Sequence, residues 1–107
     1  MEVHRELGGG FIEAVYEEAL CHELTVRKIR HERQYKMPVF YKGLQMGGRY
    51  SADIMVEDEI IVEVKAVSAL IDRHVAQALH YLAGTRKRLA LLINFGPHSL
   101  ETRRVVR

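Results

Sequence analysis

Residues 60–67 read Ile-Ile-Val-Glu-Val-Lys-Ala-Val, and this run constrains the fold more than any other part of the chain. Its β-branched residues favour a strand, and its apolar character favours burial. Side chains alternate between the two faces of a strand, so Glu63 and Lys65 share one face with Ile61 and Val67. Because an unpaired charge is costly to bury, the fold must both enclose this strand and compensate for its two charges.

The predicted strand before it, Tyr50–Val56, ends in an acidic turn at residues 57–59. If this turn is centred on its middle residue, Asp53 lies directly opposite Glu63. If the centre lies half a residue earlier, Asp53 faces Val62 and lies on the other face of the sheet. In the first register the two carboxylates are about 5 Å apart and repel each other, unless one is protonated or a cation lies between them.

A divalent cation would resolve this repulsion. Carboxylate oxygens without thiolates or a histidine pair suggest Mg²⁺ or Mn²⁺ rather than zinc. Lys65, on the same face as Glu63, is then placed to orient an attacking water or to stabilise negative charge on a phosphate. The alternative is that Glu63 and Lys65 belong to an ordinary exposed stripe of alternating charge.

Shorter patterns of apolar, turn-forming and strand-forming residues predict the other elements. The N-terminal half has an amphipathic helix within residues 10–30, an edge strand from Ile29 that is broken or bulged near Pro38, and turns at Lys42-Gly43 and Gly47-Gly48. The C-terminal half has a helix over Asp72–Ala83 that stops at Gly84, an apolar strand over Leu89–Phe95, and a short final strand or fraying tail over Glu101–Arg107. The expected fold is therefore α/β, with a mixed sheet and the order helix, three strands, helix, strand.

The composition sets wider bounds. The 107 residues are 48% hydrophobic and 28% charged, which predicts one globular domain over residues 1–107. No run approaches the roughly 20 apolar residues that cross a bilayer, so we expect a cytoplasmic protein without a membrane partner. A net charge of +2 permits a nucleic-acid substrate without requiring one. The basic runs Arg86–Arg88 and Arg103–Arg104 fit either phosphate contacts or a solvated face.

Several motifs together resemble one known family. Asp53, nine intervening residues and then Glu63-Val64-Lys65 resemble the signature of the PD-(D/E)XK nuclease superfamily. Residues 10–16, Gly-Phe-Ile-Glu-Ala-Val-Tyr, match the pattern that names its GxxExxY family, and residues 77–82, Gln-Ala-Leu-His-Tyr-Leu, look like that family's second-helix motif. With residues 91–95, Leu-Leu-Ile-Asn-Phe, the resemblance spans nearly the whole chain.

The resemblance implies a restriction-endonuclease-like core and a divalent-metal-dependent nuclease that cuts DNA or RNA with Mg²⁺ or Mn²⁺. It implies that Asp53 and Glu63 are metal ligands, that Glu13 is an accessory acid for the metal or its waters, and that Lys65 is the catalytic lysine. It also implies that Gln77 reaches into the site. Finally, it implies that Tyr16 and Tyr81 line the site and contact the substrate.

Each of these roles has a simpler alternative. Glu13 could merely favour a helix N-terminus, and Gln77 could be an ordinary surface residue. Tyr16 and Tyr81 could be core aromatics whose hydroxyls find a partner. The protein as a whole could be a module that retains the nuclease fold and binds nucleic acid or protein without cleaving it. A homodimer is possible because so small a domain offers a duplex only a short groove.

Overall fold

A computed structural model describes residues 1–47 and 50–107. The helices in these ranges are α1 (Glu2–Leu7), α2 (Glu13–Val26) and α3 (Asp72–Thr85). The strands are β1 (His31–Lys36), β2 (Val39–Tyr41), β3 (Leu44–Met46), β4 (Ser51–Val56), β5 (Ile60–Lys65), β6 (Leu89–Asn94) and β7 (Glu101–Val106). The predicted α/β class is confirmed, and α1 and the separate hairpin β2–β3 are added to the predicted order.

Five strands form the main sheet, in the order β1-β4-β5-β6-β7. β1, β4 and β5 pair antiparallel, as the predicted meander requires. β5 and β6 pair in parallel, and α3 supplies the crossover connection that a parallel pair needs. β7 pairs antiparallel with β6 along its whole length, so the C-terminal segment is a strand and not a fraying tail. The charged strand β5 therefore occupies the centre of the sheet.

The two faces of the sheet bury different apolar clusters. Val64 of β5 packs in one cluster with Leu20 of α2. Ile61 of β5 packs in the other cluster with Leu82 of α3. Because side chains alternate along β5, Glu63 lies on the α3 side of the sheet.

The helix boundaries differ from the predictions at three points. The sequence predicts no helix over Glu2–Leu7, but α1 forms and buries Val3 in the cluster on the α2 side. α2 begins at Glu13 rather than near residue 10. α3 continues through Gly84 and ends at Thr85, followed by a left-handed Arg86 with φ 60°. A glycine costs a helix only about 1 kcal/mol, which the packing of α3 on the sheet overcomes.

The connection from β1 to β4 contains the hairpin β2–β3. β1 ends at Lys36 and β2 begins at Val39, so the strand is broken at Pro38 as predicted. The hairpin turns at Lys42 and Gly43, whose φ values of 50° and 80° suit a two-residue hairpin turn. The other predicted turn, Gly47-Gly48, includes Gly48, which lies outside the described residues. No helix within residues 1–47 and 50–107 has the length and apolar character needed to cross a bilayer.

Gly96, just after β6, allows a close approach between two backbone segments. A Cβ atom at this position would overlap the carbonyl oxygen of Val67 and lie 2.8 Å from the carbonyl carbon and the nitrogen of the same residue. Val67 begins the connection from β5 to α3. Because Gly96 has no side chain, the end of β6 can lie against the start of this connection.

We predict that Gly96→Ala destabilises the protein by about 3 kcal/mol, because the backbone of Val67 must move to accept the methyl group. The matched control is Gly84→Ala, because a Cβ atom at this position would meet no neighbouring atom and the backbone of Gly84 has a negative φ. That substitution should stabilise α3 by up to about 1 kcal/mol. Thermal unfolding followed by circular dichroism checks both values, and equal melting temperatures for the two variants would contradict the close approach.

Candidate active site

The pairing of β4 with β5 decides between the two hairpin registers left open by the sequence. The observed partners are Ile54↔Val62, Met55↔Ile61 and Val56↔Ile60, and their numbers all sum to 116. The same offset places Asp53 opposite Glu63. The first register, with both acids on one face, is therefore the one that forms.

Asp53 is held in place by the backbone of the neighbouring strand. Its Oδ2 atom accepts a hydrogen bond of 2.7 Å from the Val64 amide, between Glu63 and Lys65. The bond between β4 and β5 at this point therefore comes from a side chain. One carboxylate oxygen of Asp53 is fixed by β5, beside the charged part of the strand.

Glu63 is a buried acid with an incomplete set of hydrogen bonds. Glu63 is only 4% exposed. Among the described residues, its Oε1 atom has no hydrogen-bond partner. The pKa of Glu63 is raised to about 9, chiefly by burial and also by the charge and hydrogen bond of Asp53, while the charge of Lys65 opposes the shift. Without a cation, the Asp53–Glu63 pair therefore retains a proton at neutral pH.

A chain of hydrogen bonds links β5 to α3 next to this acid pair. The Lys65 ammonium donates to Gln77 Oε1 at 3.2 Å, and Gln77 Nε2 donates to the Tyr81 hydroxyl at 3.1 Å. Gln77 and Tyr81 are four residues apart and so share one face of the helix. Burial raises the pKa of Tyr81, and the nearby charges of Glu63 and Asp53 raise it further. The fold thus brings five of the predicted site residues together.

Glu13 is not assembled with the acid pair. It is the first residue of α2 and is exposed. Within residues 1–47 and 50–107 no group of three His, Cys, Asp or Glu side chains is arranged to hold a metal ion. Burial lowers the pKa of His74, the charge of Lys65 lowers it further and the charge of Glu13 opposes these effects. Glu13 is therefore an exposed residue at the start of α2, apart from the acid pair.

Tyr16 does not line the site, and that prediction is wrong. The residue is fully buried, and its ring stacks on Phe95 with 4.5 Å between the centroids. Its hydroxyl donates to the Gly8 carbonyl at 2.6 Å and accepts from the Phe11 amide at 3.2 Å. Tyr16 is therefore a core aromatic whose hydroxyl is partnered, which is the alternative that the sequence left open. Its hydrogen bonds hold the glycine-rich segment between α1 and α2.

Asn94 and Glu101 position the β5–α3 connection, which sequence reasoning did not foresee. Asn94 is fully buried, and its Oδ1 atom accepts from the amides of Val67 at 2.9 Å and Gly96 at 3.1 Å. Its Nδ2 atom donates to Glu101, whose carboxylate also accepts from the Leu70 amide at 2.8 Å. These bonds fix the segment between Lys65 and Gln77. A polar residue at the end of an otherwise apolar strand is the signal that could have identified Asn94.

A second unforeseen network lies on the other side of Asp53. Gln34 of β1 has a φ of 51°, and the β1–β4 ladder omits the Gln34–Asp53 pair. The Gln34 amide donates to buried Glu17 at 2.8 Å and accepts from the Ser51 hydroxyl at 2.9 Å. Arg33 also donates to Glu17, at 2.8 Å. The sheet is therefore distorted beside Asp53, and a strained backbone of this kind has no simple sequence pattern.

The basic run Arg86–Arg88 lies away from the acid pair. Lys87 forms an ion pair with Asp58, with 3.6 Å between its Nζ atom and the carboxylate. Asp58 is in the β4–β5 turn, which precedes β5, whereas Lys65 is the last residue of that strand. The run is therefore at the opposite end of β5 from the proposed chemistry.

An acid pair and a lysine on adjoining central strands, with helices on both faces of a mixed sheet, are consistent with a restriction-endonuclease-like fold. The family model of the PD-(D/E)XK nuclease superfamily matches residues 1–105, and the chain belongs to that superfamily. A solved structure described as the crystal structure of SSO0001 has a similar fold, with a TM-score of 0.71 and 15% sequence identity. The match covers 89% of this chain and 50% of SSO0001, so the chain spans about half the length of that protein. A comparison with curated proteins gives no match.

We predict that the metal-free protein loses stability as the pH rises. The pKa of Glu63 is about 9 in the folded chain against an ordinary 4.5, so folding favours the protonated acid. The full stability is present below pH 4.5 and declines as the pH rises towards 9. In EDTA, Glu63→Gln should therefore melt at least about 5 °C above the wild type at pH 8.5 and show little difference at pH 4.5.

Thermal unfolding across this pH range tests the buried acid. Glu59→Gln is the control, since Glu59 is exposed in the turn of the same β4–β5 hairpin. If the melting temperature changes with pH in the same way for the wild type and Glu63→Gln, the pKa of the Glu63 carboxyl is not raised by folding.

Proposed function

We propose that this protein is a divalent-metal-dependent nuclease that hydrolyses phosphodiester bonds in DNA or RNA. The observation that carries the proposal is the buried Glu63 carboxyl, with one unpartnered oxygen, opposite Asp53 and two residues before Lys65. Membership of the nuclease superfamily supports the same chemistry. We further propose that the chain belongs to the GxxExxY family, on the motifs at residues 10–16 and 77–82, and that residues 1–107 form one such domain.

The acid pair fits a hard divalent cation. Mg²⁺ is commonly bound through one or two carboxylates and keeps several waters, so a third protein ligand is not required. We assign to the cation the unpartnered oxygen of Glu63 and the Asp53 oxygen that does not accept from the Val64 amide, with exposed Glu13 acting only through the waters of the cation. A bound Mg²⁺ or Mn²⁺ would lower the pKa of a coordinated water and neutralise charge on the phosphate.

The protein side chains supply positioning and charge. β5 fixes Asp53 through the Val64 amide, so one of the two acids cannot turn away from the other. Lys65 is half-buried and carries the positive charge of the site, which would stabilise charge developing on a phosphate oxygen. Gln77 accepts from this ammonium and so orients it, and Tyr81 in turn orients the Gln77 amide.

A second candidate function is a non-catalytic module that binds nucleic acid. The observation in its favour is that the described residues gather two acids and no third metal-ligating side chain. The two functions differ in whether a divalent ion binds at the acid pair and whether a phosphodiester bond is broken.

We predict that the purified chain cleaves at least one of four substrates, single-stranded or double-stranded DNA or RNA, in Mg²⁺ or Mn²⁺. Glu63→Gln and Lys65→Ala should each lower the cleavage rate by about 100-fold or more, because each removes a group that acts on the charged transition state. Gln77→Ala should lower it less, because Gln77 acts through Lys65. Gel assays of labelled substrates measure these rates.

The exposed acid Glu59 again provides a matched control, and Glu59→Gln should cleave at the wild-type rate. Cleavage that persists in Glu63→Gln would point to a contaminant or to another site. If no substrate is cleaved and calorimetry detects no Mg²⁺ or Mn²⁺ binding, the non-catalytic module is the correct function.

A further inference from the structure

Residues 33–52 differ in composition from the rest of the chain. They contain no acid and four basic residues, although the whole chain carries a net charge of only +2. They also contain four of the eight aromatic residues. The basic residues are Arg33, Lys36, Lys42 and Arg49, of which Arg49 lies outside the described residues, and the aromatic residues are Tyr35, Phe40, Tyr41 and Tyr50. Positive charge interleaved with aromatic rings is typical of surfaces that bind nucleic acid.

This segment includes the β2–β3 hairpin and leaves the sheet at the end that holds the proposed site. The hairpin follows the last residue of β1, Lys36, and precedes the first residue of β4, Ser51. Because β4 and β5 are antiparallel, the start of β4 lies beside the end of β5, which is Lys65. The hairpin and the acid pair are therefore at the same end of the sheet.

Three of the four aromatic rings of the segment are exposed to solvent, whereas Tyr35 packs against the core. Phe40 and Tyr41 are each 60% exposed, and Tyr50 is 55% exposed. The Lys42 ammonium lies 5.4 Å from the centre of the Tyr41 ring, so cation and ring form one surface. Such exposure of large rings in one place is not explained by the packing of the domain.

Two concave surfaces lie beside these rings. A groove of about 490 Å³ lies between the hairpin and α3 and is lined by Pro38, Tyr50, His80 and Tyr81, among others. A second groove, of about 700 Å³, is lined by Tyr50 together with Gln34 and other residues of the β1–β4 end. Tyr81 also belongs to the hydrogen-bonded chain that starts at Lys65. Tyr50 therefore lines both grooves, and one of them is also lined by Tyr81, a member of the hydrogen-bonded chain next to the acid pair.

We propose that the β2–β3 hairpin and Tyr50 bind a single-stranded segment of the nucleic-acid substrate and direct it to Asp53 and Glu63. Exposed rings can stack on the faces of unpaired bases, whereas a duplex hides those faces within its own stack. Lys36 and Lys42 would contact phosphates. A second copy of the chain is a poorer occupant, because it would bring two acid-free basic segments together. The proposal deepens the nuclease function and rests on it for the cleavage step only.

The test measures binding without cleavage, by fluorescence anisotropy in EDTA. The probes are labelled oligonucleotides of about 12 nucleotides: single-stranded DNA, single-stranded RNA and the corresponding DNA duplex. Both single strands should bind at least about 10-fold more tightly than the duplex. Tyr50→Leu should weaken single-strand binding by about 10-fold, whereas Tyr50→Phe, which keeps the ring, should stay within about twofold of the wild type. Lys36→Gln should reduce the dependence of binding on salt concentration.

Val26→Ala is the control, because Val26 is 60% exposed at the end of α2 and lies outside the basic segment. Its binding, and the melting temperatures of all variants, should equal those of the wild type. Tighter duplex binding, or equal binding by Tyr50→Leu and Tyr50→Phe, would overturn the proposal. So would a dimer in sedimentation that Phe40→Ser dissociates, since the hairpin would then be a contact between copies.

The outcomes for binding and for cleavage are separable. If the wild type cleaves, Glu63→Gln does not and Tyr50→Leu cleaves and binds like the wild type, the hairpin proposal fails and the nuclease function stands. If Tyr50 governs binding in a protein that cleaves no substrate, the binding surface stands and the nuclease function fails.

Discussion

Two carboxyl groups, those of Asp53 and Glu63, face each other near the centre of a five-stranded sheet, and Glu63 is almost completely buried. This arrangement is unfavourable for an ordinary structural pair, because burial and mutual repulsion both oppose the second negative charge. In the metal-free protein the pair is stabilised by retaining a proton. In the proposed nuclease a divalent cation takes over that role, so the same strain that disfavours the empty site favours ion binding.

The surrounding structure holds the two acids in this unfavourable position. Hydrogen bonding to the Val64 amide fixes Asp53 from β5, while the distorted backbone at Gln34 lies on its β1 side. On the other side of β5, Asn94 and Glu101 anchor the connection that leads into α3. Most of these contacts involve backbone amides, which place atoms more rigidly than contacts between two flexible side chains.

The sequence predicted the parts of the fold that depend on simple periodic patterns. The charged strand β5, the apolar strand β6 and the crossover between them follow from alternation and burial, and so does the convergence of Gln77 and Tyr81 on one helix face. The sequence left the hairpin register open because a half-residue shift of the turn changes which face Asp53 occupies. It did not predict α1, since a six-residue helix depends on the burial of Val3 rather than on its own periodicity. Tyr16 was misassigned because its partners, Gly8 and Phe95, meet it only in the folded chain.

We propose that Asp53 and Glu63 together form a divalent-cation site. The most direct measurement is anomalous diffraction from crystals of the protein soaked in Mn²⁺, compared with crystals of Glu63→Gln treated in the same way. We expect one anomalous peak in contact with carboxylate oxygens of both acids in the wild type, and its loss in the variant. A wild-type crystal with no peak at this position, and with the Glu63 carboxyl still paired with Asp53, would contradict it.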